Sequence, residues 1–291
     1  MALKRQRVNQ QAQLPIRRSP RSFFPYLFSA LFLLTLVDSW RRAEIDPKVF
    51  FEAKGRDALW KFLTGMFPPD LSWNFLSLML RPTLETIQIS LWGTLIAVMI
   101  GFPLGLLGTN TLTVGGILNE AELQGAPLRR GLRSVIYLLA RGILSLFRCI
   151  PEFVWAFMFV RAVGLGPFPG VLAIGVAYGG MLGKVYSEIF EGVNYQPLEA
   201  LQSLGANKLQ IFFYGWFPQA LPNFVSYTLY RWECAVRASA ILGLVGAGGL
   251  GQQIEISMRM FNFNEVLTIL IILFLMVAAV DYLSAKVRAL L

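Results

Sequence analysis

Long apolar stretches alternate with short polar segments along the sequence, and this pattern predicts membrane-spanning helices. An α-helix rises about 1.5 Å per residue, so roughly 20 apolar residues are needed to cross about 30 Å of hydrocarbon. Six stretches come close to or meet this length, at residues 23–40, 84–107, 135–160, 168–186, 217–242 and 266–283. We therefore expect an all-α, polytopic membrane protein with six transmembrane helices.

The composition agrees with a membrane-embedded chain and argues against most enzyme classes. Of the 291 residues, 55% are hydrophobic and 15% are charged, whereas soluble domains carry about 25% charged residues. The sequence has no histidine, and its two cysteines, Cys149 and Cys234, lie in apolar stretches. This argues against hydrolytic triads and zinc sites. A membrane enzyme would need polar catalytic groups at one depth, and the chain offers few.

The net charge of +9 comes from basic residues that flank or interrupt the apolar stretches. Such placement is typical of juxtamembrane anchoring rather than of nucleic-acid binding. Residues 1–22 form a basic tail, which is predicted to stay in the cytoplasm, and six crossings return the basic C-terminus to the same side. The segment between the first two spans is also basic, so orientation needs a second argument. Within it, residues 58–67 predict a short interfacial helix halted by Pro68 and Pro69.

A polar segment between the fourth and fifth spans, residues 188–216, predicts two short helices separated by a turn. Pro197 suits the first turn of a helix, Gly205 suits a left-handed residue that ends it, and Asn207 can cap the next helix. Apolar residues recur on the first helix at Leu198, Leu201 and Leu204. Such a stripe outside the bilayer suits docking in a groove of a soluble partner. The alternative is an amphipathic loop lying on lipid.

The same loop resembles the cytoplasmic coupling motif of permeases in ABC-type importers. That motif reads Glu-Ala-Ala, three residues, Gly, nine residues, Ile, one residue, Leu-Pro, and Glu199-Ala200, Gly205 and Phe217-Pro218 match its spacing. Leu201 replaces the third small residue, and Gly215 and Phe217 stand where isoleucine and leucine are usual. The resemblance implies a cytoplasmic loop that docks on an ATPase. It assigns the coupling role to Glu199, Ala200, Leu201, Leu204 and Gly205.

Further segments are similar to the permease subunit of phosphonate and phosphite importers. They lie at residues 66–72, 148–155, 163–168, 181–184 and 236–251, and the likeness extends from about residue 56 to the C-terminus. The resemblance implies a type I, methionine-permease-like fold over residues 23–291 in the bacterial inner membrane. It implies as partners a second permease copy, two cytoplasmic ATPase subunits and a periplasmic binding protein. ATP and Mg²⁺ would bind the ATPase, and this chain would carry no cofactor.

Two other functions stay open at this point. A permease for another small solute, such as methionine, fits the same architecture, and the glycine-rich part of residues 236–251 is shared with methionine permeases. A non-transporting scaffold is the other alternative, but it leaves the charged residues inside the predicted spans unexplained.

The run Gly246-Ala-Gly-Gly-Leu-Gly251 matches the dinucleotide fingerprint Gly-x-Gly-x-x-Gly in its letters only. That fingerprint follows a strand and opens a helix, whereas a hydrophobic span precedes this run. We expect its glycines to allow close packing or bending, as a gate or packing element at the outer end of the fifth span. The residues concerned are Gly246, Gly248, Gly249 and Gly251.

Ionisable residues inside spans are expensive to bury and by default face a cavity or a partner. Two polar stripes have helical spacing, one at Arg141, Ser145, Arg148 and Glu152 and the other at Ser226, Tyr230, Glu233 and Arg237. In one interpretation Arg148 and Arg237 offset the charge of an oxyanion in a pathway. In the other, Arg148–Glu152 and Glu233–Arg237 are ion pairs that hold the bundle together. The pathway candidates are Arg148, Glu152, Tyr230, Glu233 and Arg237, and Lys184 with Glu188 is predicted to form an interfacial pair.

Overall fold

A computed structural model describes residues 23–43, 53–115 and 127–290 of the chain. Within these ranges the regular elements are helices and there is no strand, so the predicted all-α class is confirmed. The predicted basic tail, residues 1–22, lies outside the described residues. The chain divides into two compact units between Lys61 and Phe62.

The described residues form twelve α-helices and two π-helical segments. The α-helices are α1 (Phe24–Arg42), α2 (Ala53–Gly65), α3 (Trp73–Leu107), α4 (Asn110–Thr113), α5 (Pro127–Cys149), α6 (Glu152–Val163), α7 (Pro167–Glu191), α8 (Gln196–Ser203), α9 (Lys208–Gln210), α10 (Phe217–Leu242), α11 (Gly249–Arg259) and α12 (Phe263–Arg288). The π-helical segments, Ile211–Trp216 and Gly243–Ala247, precede and follow α10. The helix predicted at residues 58–67 lies mostly within α2, which ends before Pro68 and Pro69.

The predicted count of six spans is not confirmed. In the described ranges three helices, α3, α7 and α12, are long and apolar enough to cross a membrane. Up to five spans result if each of two bent pairs counts as one, namely α5 with α6 and the helical run Lys208–Ala247 with α11. The first predicted span does form a helix, α1, but its C-terminal part contains Asp38, Arg41 and Arg42, which make it less apolar.

The prediction that the third span is a single helix is wrong. The α5 helix ends at Cys149, α6 begins at Glu152, and the two are bent by 88°. Pro151 lies at the junction with an extended backbone, at a ψ of 145°. A proline has no amide hydrogen for the helix ladder, and it disfavours a helical conformation at the residue before it. The two halves of the predicted span therefore point in different directions.

The core forms where α7 packs along α3, and glycines on both helices bring the backbones together. A side-chain carbon at Gly101 of α3 would lie 2.9 Å from the carbonyl oxygen of Gly179 on α7. One at Gly105 would lie 2.8 Å from the carbonyl oxygen of Gly183. Such small-residue contacts let helices approach closely in lipid, where hydrophobic burial does not drive them together. Large side chains fill the core towards the C-terminal end of α7, with Tyr186, Phe190 and Trp216 buried.

Candidate functional site

The polar loop between α7 and α10 has the turn chemistry expected from its sequence. Pro197 lies in the first turn of α8, and Gly205 after this helix adopts a left-handed φ of 81°. Asn207 Oδ1 accepts a hydrogen bond from the amide of Gln210 at 2.9 Å, while Gln210 Oε1 accepts one from the amide of Asn207 at 2.8 Å. These reciprocal bonds cap α9 and orient the chain as it enters the first π-helical segment. The predicted pair of short helices with a turn between them is confirmed.

The leucine stripe of α8 does not form one exposed face. Leu198 is fully buried, Leu201 is half-buried, and Leu204 is 84% exposed. The first two leucines pack at Gly215 of the π-helical segment. A side-chain carbon at Gly215 would lie 2.6 Å from Leu198 Cδ2 and 2.9 Å from Leu201 Cδ1. Two of the three leucines therefore contribute to the protein's own packing rather than to an outward docking face.

A different set of apolar side chains is exposed on this loop, and the leucine stripe did not predict it. We call this set the loop patch; its members, Leu204, Leu209, Phe213 and Tyr214, are each more than half exposed. A groove of about 410 Å³ lies at one side of the patch, lined by Leu201, Leu204, Gly205, Ala206, Gln210 and Tyr214. Glu199 and Ala200 on α8 are also exposed. The aromatic run at residues 212–214, directly after the capped turn, is the sequence signal for this patch.

The loop is fastened to the C-terminal end of α7. The Trp216 indole nitrogen donates a buried hydrogen bond to the carbonyl oxygen of Phe190 at 2.9 Å. At the next residue, the Glu191 carboxylate accepts hydrogen bonds from Arg141 of α5 at 3.0 Å and from the amide of Asn110 at 2.9 Å. The loop, α5, α7 and the segment after α3 therefore meet in one packed junction.

The polar stripe predicted for the third span is divided by the bend between α5 and α6. Arg148 lies near the end of α5 and is exposed, whereas Glu152 begins α6 and is half-buried. No ion pair joins these two side chains in the described part of the chain. Arg141 of the same stripe pairs instead with Glu191 of α7 at 3.0 Å. The expected continuous polar face is therefore wrong, and so is the interpretation that pairs Arg148 with Glu152, while the pathway roles of both residues stay predictions.

Glu233 and Arg237 on α10 have partners on α12 rather than each other. Glu233 is 8% exposed, and its Oε1 accepts a hydrogen bond from Arg288 Nη1 at 2.7 Å. Arg237 Nη1 lies 4.0 Å from Asp281 Oδ2. The interpretation that pairs Glu233 with Arg237 is wrong, because helix packing brings charged residues of α12 alongside α10. The pathway roles of both residues stay predictions.

The Lys184–Glu188 pair on α7 is confirmed. The Lys184 ammonium lies 2.7 Å from Glu188 Oε1, and the glutamate side chain is 53% exposed. Exposure of this kind leaves the pair screened by solvent, so its contribution to stability is small.

Arg231 lies beside the predicted stripe of α10, and the sequence pattern did not single it out. Its Nε and Nη2 donate to the hydroxyl of Tyr227 at 2.9 and 2.8 Å. Its guanidinium carbon is 5.3 Å from the ring centroid of Tyr227, 5.9 Å from that of Tyr230 and 5.7 Å from that of Tyr178 on α7. We call these three rings the tyrosine cage. Of the predicted pathway residues, Tyr230 alone belongs to it, and tyrosines one and four residues before the arginine are its sequence signal.

The glycine run turns α10 into α11 and packs against α3. Positive φ angles of 93°, 80° and 72° occur at Gly246, Gly248 and Gly249, and residues with a side chain rarely adopt them. A side-chain carbon at Gly251 would collide with the carbonyl oxygen of Ala240. Residues of α3 cap the start of α11, since Glu85 accepts a hydrogen bond from the amide of Gly249 at 3.3 Å and Thr86 from the next amide at 2.9 Å. These bonds satisfy amides that a helix N-terminus otherwise leaves free.

Several bent and straight helices apolar enough to cross a membrane, with a short helical loop fastened to their core, indicate a multi-pass membrane protein. The chain belongs to the family of binding-protein-dependent transport system inner membrane components, whose model matches residues 123–289. It is the membrane permease of an ABC importer and not an enzyme. Importers of this family work with an ATPase and a binding protein.

Two relatives named for phosphite transport and one solved structure agree with this membership. The permease HtxC of Stutzerimonas stutzeri, provisionally named for phosphite transport, is 36% identical over 90% of this chain and 86% of its own. The phosphite transport system permease protein PtxC of the same organism is 35% identical over 76% of this chain and 73% of its own. A chain of the inward-facing MetNI methionine ABC transporter has a TM-score of 0.62 at 24% identity, covering 75% of this chain and 98% of that one. This last likeness confirms the predicted methionine-permease-like fold.

Proposed function

We propose that this chain forms the membrane pathway of an ATP-driven importer for small phosphorus oxyanions of the phosphite and phosphonate type. The observation that carries the proposal is the 36% identity, over 90% of this chain, to a permease named for phosphite transport. A methionine permease is the second candidate, because the fold is like that of a methionine transporter. The 24% identity of that likeness gives the second candidate less support.

In this proposal the loop patch and its groove receive the ATPase. Exposed apolar side chains beside a groove are typical of protein-binding surfaces. Glu199, Ala200, Leu204 and Gly205 lie on the exposed side of the loop, and Leu201 lines the groove. Because Trp216 fastens the loop to α7, a displacement of the loop by the ATPase would move the long helices. ATP and Mg²⁺ would bind the ATPase, and this chain would need no cofactor of its own.

We further propose that the loop and both chain termini face the cytoplasm and that the permease works with a second copy of itself and two ATPase subunits. The basic tail predicted at residues 1–22 supports this orientation. The segment just before α3 and the first turns of α12 meet at the other end of the bundle, where the Thr268 hydroxyl donates to the carbonyl oxygen of Asp70 at 2.9 Å. That end would face the periplasm and receive substrate from the binding protein.

Uptake by proteoliposomes tests the proposed function. The vesicles contain the permease with its ATPase, the binding protein is added on the side opposite the loop, and ATP is supplied on the loop side. Phosphite, methylphosphonate, phosphate and methionine are compared, and vesicles without ATP are the control. ATP-dependent uptake of phosphite or methylphosphonate supports the proposal. Uptake of methionine alone would assign the second candidate, and uptake of none of the four would contradict both.

A further inference from the structure

We propose that Arg231 and the tyrosine cage form the oxyanion-recognition site of this permease. The inference rests on the proposed transport of phosphorus oxyanions. The sequence pattern selected Arg148 and Arg237 as the cations that bind the anion. We assign this role to Arg231 instead.

The first argument is that the charge of Arg231 is not cancelled. In the described ranges no carboxylate lies within ion-pair distance of it, whereas Arg237 has Asp281 at 4.0 Å and Arg288 has Glu233 at 2.7 Å. A cation that already faces a carboxylate offers little net field to an anion in a low-dielectric pathway. The faces of the tyrosine cage stabilise the guanidinium of Arg231 while leaving its charge in place.

The second argument is that the cluster keeps free hydrogen-bond donors. Arginine has five N–H groups, and Arg231 uses two of them on the Tyr227 hydroxyl. The other three have no hydrogen-bond partner among the described residues. A planar guanidinium presents such donors as a fork that matches two oxygens of a phosphorus oxyanion. The Tyr227 hydroxyl accepts both arginine bonds, so its own proton can be donated to a further oxygen.

The third argument concerns access and release. Arg231 and Tyr227 are half-buried and Tyr230 is 48% exposed, so the cluster is open on the Tyr230 side, while buried Tyr178 attaches it to α7. A pathway site needs such access, because substrate must both enter and leave.

The test compares Arg231→Gln and Arg231→Lys with the wild type in the proteoliposome assay. Arg42→Gln is the control, since Arg42 is an exposed arginine that pairs with Asp38 on its own helix. We expect Arg231→Gln to slow phosphite uptake at low substrate by about tenfold or more, the scale of a lost charged hydrogen bond. Arg231→Lys keeps the charge but not the fork, and should fall between. The yield of intact complex should be unchanged in all three variants.

Several outcomes would overturn the assignment. Wild-type uptake by Arg231→Gln refutes the site while leaving the proposed function intact, and so does a fall in uptake that only follows a fall in yield. If Arg231→Gln does not assemble, wild-type uptake by Arg231→Lys refutes it instead. If the wild type transports neither phosphite nor methylphosphonate, the proposed function fails. The oxyanion site is then tested separately by a binding measurement. Inorganic phosphate must then raise the melting temperature of the wild-type complex and not that of an Arg231 variant, and an equal rise in both refutes the site.

Discussion

Replacing Gly215 by isoleucine should damage the loop, and adding Leu201→Ala should repair much of that damage. The coupling motif usually has a small residue at the position of Leu201 and isoleucine at the position of Gly215, so the sizes here are reversed. In the structure the two positions face each other, and a side-chain carbon at Gly215 would lie 2.9 Å from Leu201 Cδ1. The large residue Leu201 and the small residue Gly215 therefore compensate for each other in volume.

The size of the effect follows from packing. Overfilling a packed site costs about 1–3 kcal/mol. Leucine to alanine in a full core costs about 2–5 kcal/mol, and half-buried Leu201 belongs at the lower end, at about 2 kcal/mol. The double variant exchanges volume across the contact and should lose less than about 1.5 kcal/mol. Leu198 would still lie 2.6 Å from the added carbon before any adjustment, so the repair is incomplete.

The assay is the apparent melting temperature of the detergent-solubilised complex, heated at one fixed rate and scored by size-exclusion chromatography. At roughly 2 °C per kcal/mol for a chain of this size, Gly215→Ile should lower the midpoint by about 4 °C. The double variant should lie about 5 °C or more above the sum of the two single effects. Gly142→Ile is the matched control, since a side-chain carbon at this helical glycine would meet nothing within 4 Å. The compensation would be refuted if the melting-temperature shift of the double variant equalled the sum of the two single shifts. It would also be refuted if Gly142→Ile lowered the midpoint as much as Gly215→Ile.

Three further predictions concern the loop, the orientation and the buried ion pair. Gly205→Val should lower ATPase co-purification and transport together, because valine at a φ of 81° costs about 1–3 kcal/mol, and unchanged ATPase stimulation would contradict the coupling role. A cysteine at Ser203 should be labelled by an impermeant thiol reagent only after the cytoplasmic side is opened, and labelling in intact cells would reverse the proposed orientation. Arg288→Gln should lower the yield of complex, by leaving the charge of buried Glu233 unpaired, and Glu233→Gln with Arg288→Gln should recover it. No recovery in the double variant would show that the pair has a further role.

Local signals in the sequence predicted local structure well. Pro197, Gly205 and Asn207 predicted the turns of the loop because each acts through its own backbone geometry or a hydrogen bond within a few residues. Apolar length likewise predicted α3, α7 and α12 as possible spans. Apolar length did not reveal the bend at Pro151, since hydrophobicity continues on both sides of it, although the proline itself was a sufficient reason to expect one.

Partners across the bundle could not be predicted from spacing. The spacing of Glu233 and Arg237 shows that they share a face of α10, but it contains no information about the partners that α12 supplies. The burial of Leu198 could not be predicted either, because helical spacing shows which residues share a face and not what that face packs against. The two tyrosines of the cage on α10 lie within about one helical turn of Arg231 and were an overlooked sequence signal, whereas Tyr178 comes from α7 and could not be predicted from spacing.

Three members of the loop patch, Leu209, Phe213 and Tyr214, lie with Arg231 on one continuous helical run, Lys208–Ala247. At about 1.5 Å per residue, Tyr214 and Arg231 are about 25 Å apart along its axis. A push on the loop patch would therefore tilt α10. The α7 helix should follow α10, because the Trp216–Phe190 hydrogen bond, a hydrogen bond between the Tyr186 and Thr228 hydroxyls, and the tyrosine cage all join the two.

Movement of α7 and α10 as one body would preserve the oxyanion site during transport. The tyrosine cage takes Tyr178 from α7 and its other two rings from α10, so it keeps its geometry as long as the two helices move together. The geometry of the oxyanion site would then stay the same during transport. Access to the site would change as its open side, at Tyr230, is covered and uncovered. This predicts that a disulfide introduced between α7 and α10 near the cage leaves transport active, whereas transport lost on oxidation and restored by reduction would show that the two helices separate during the cycle.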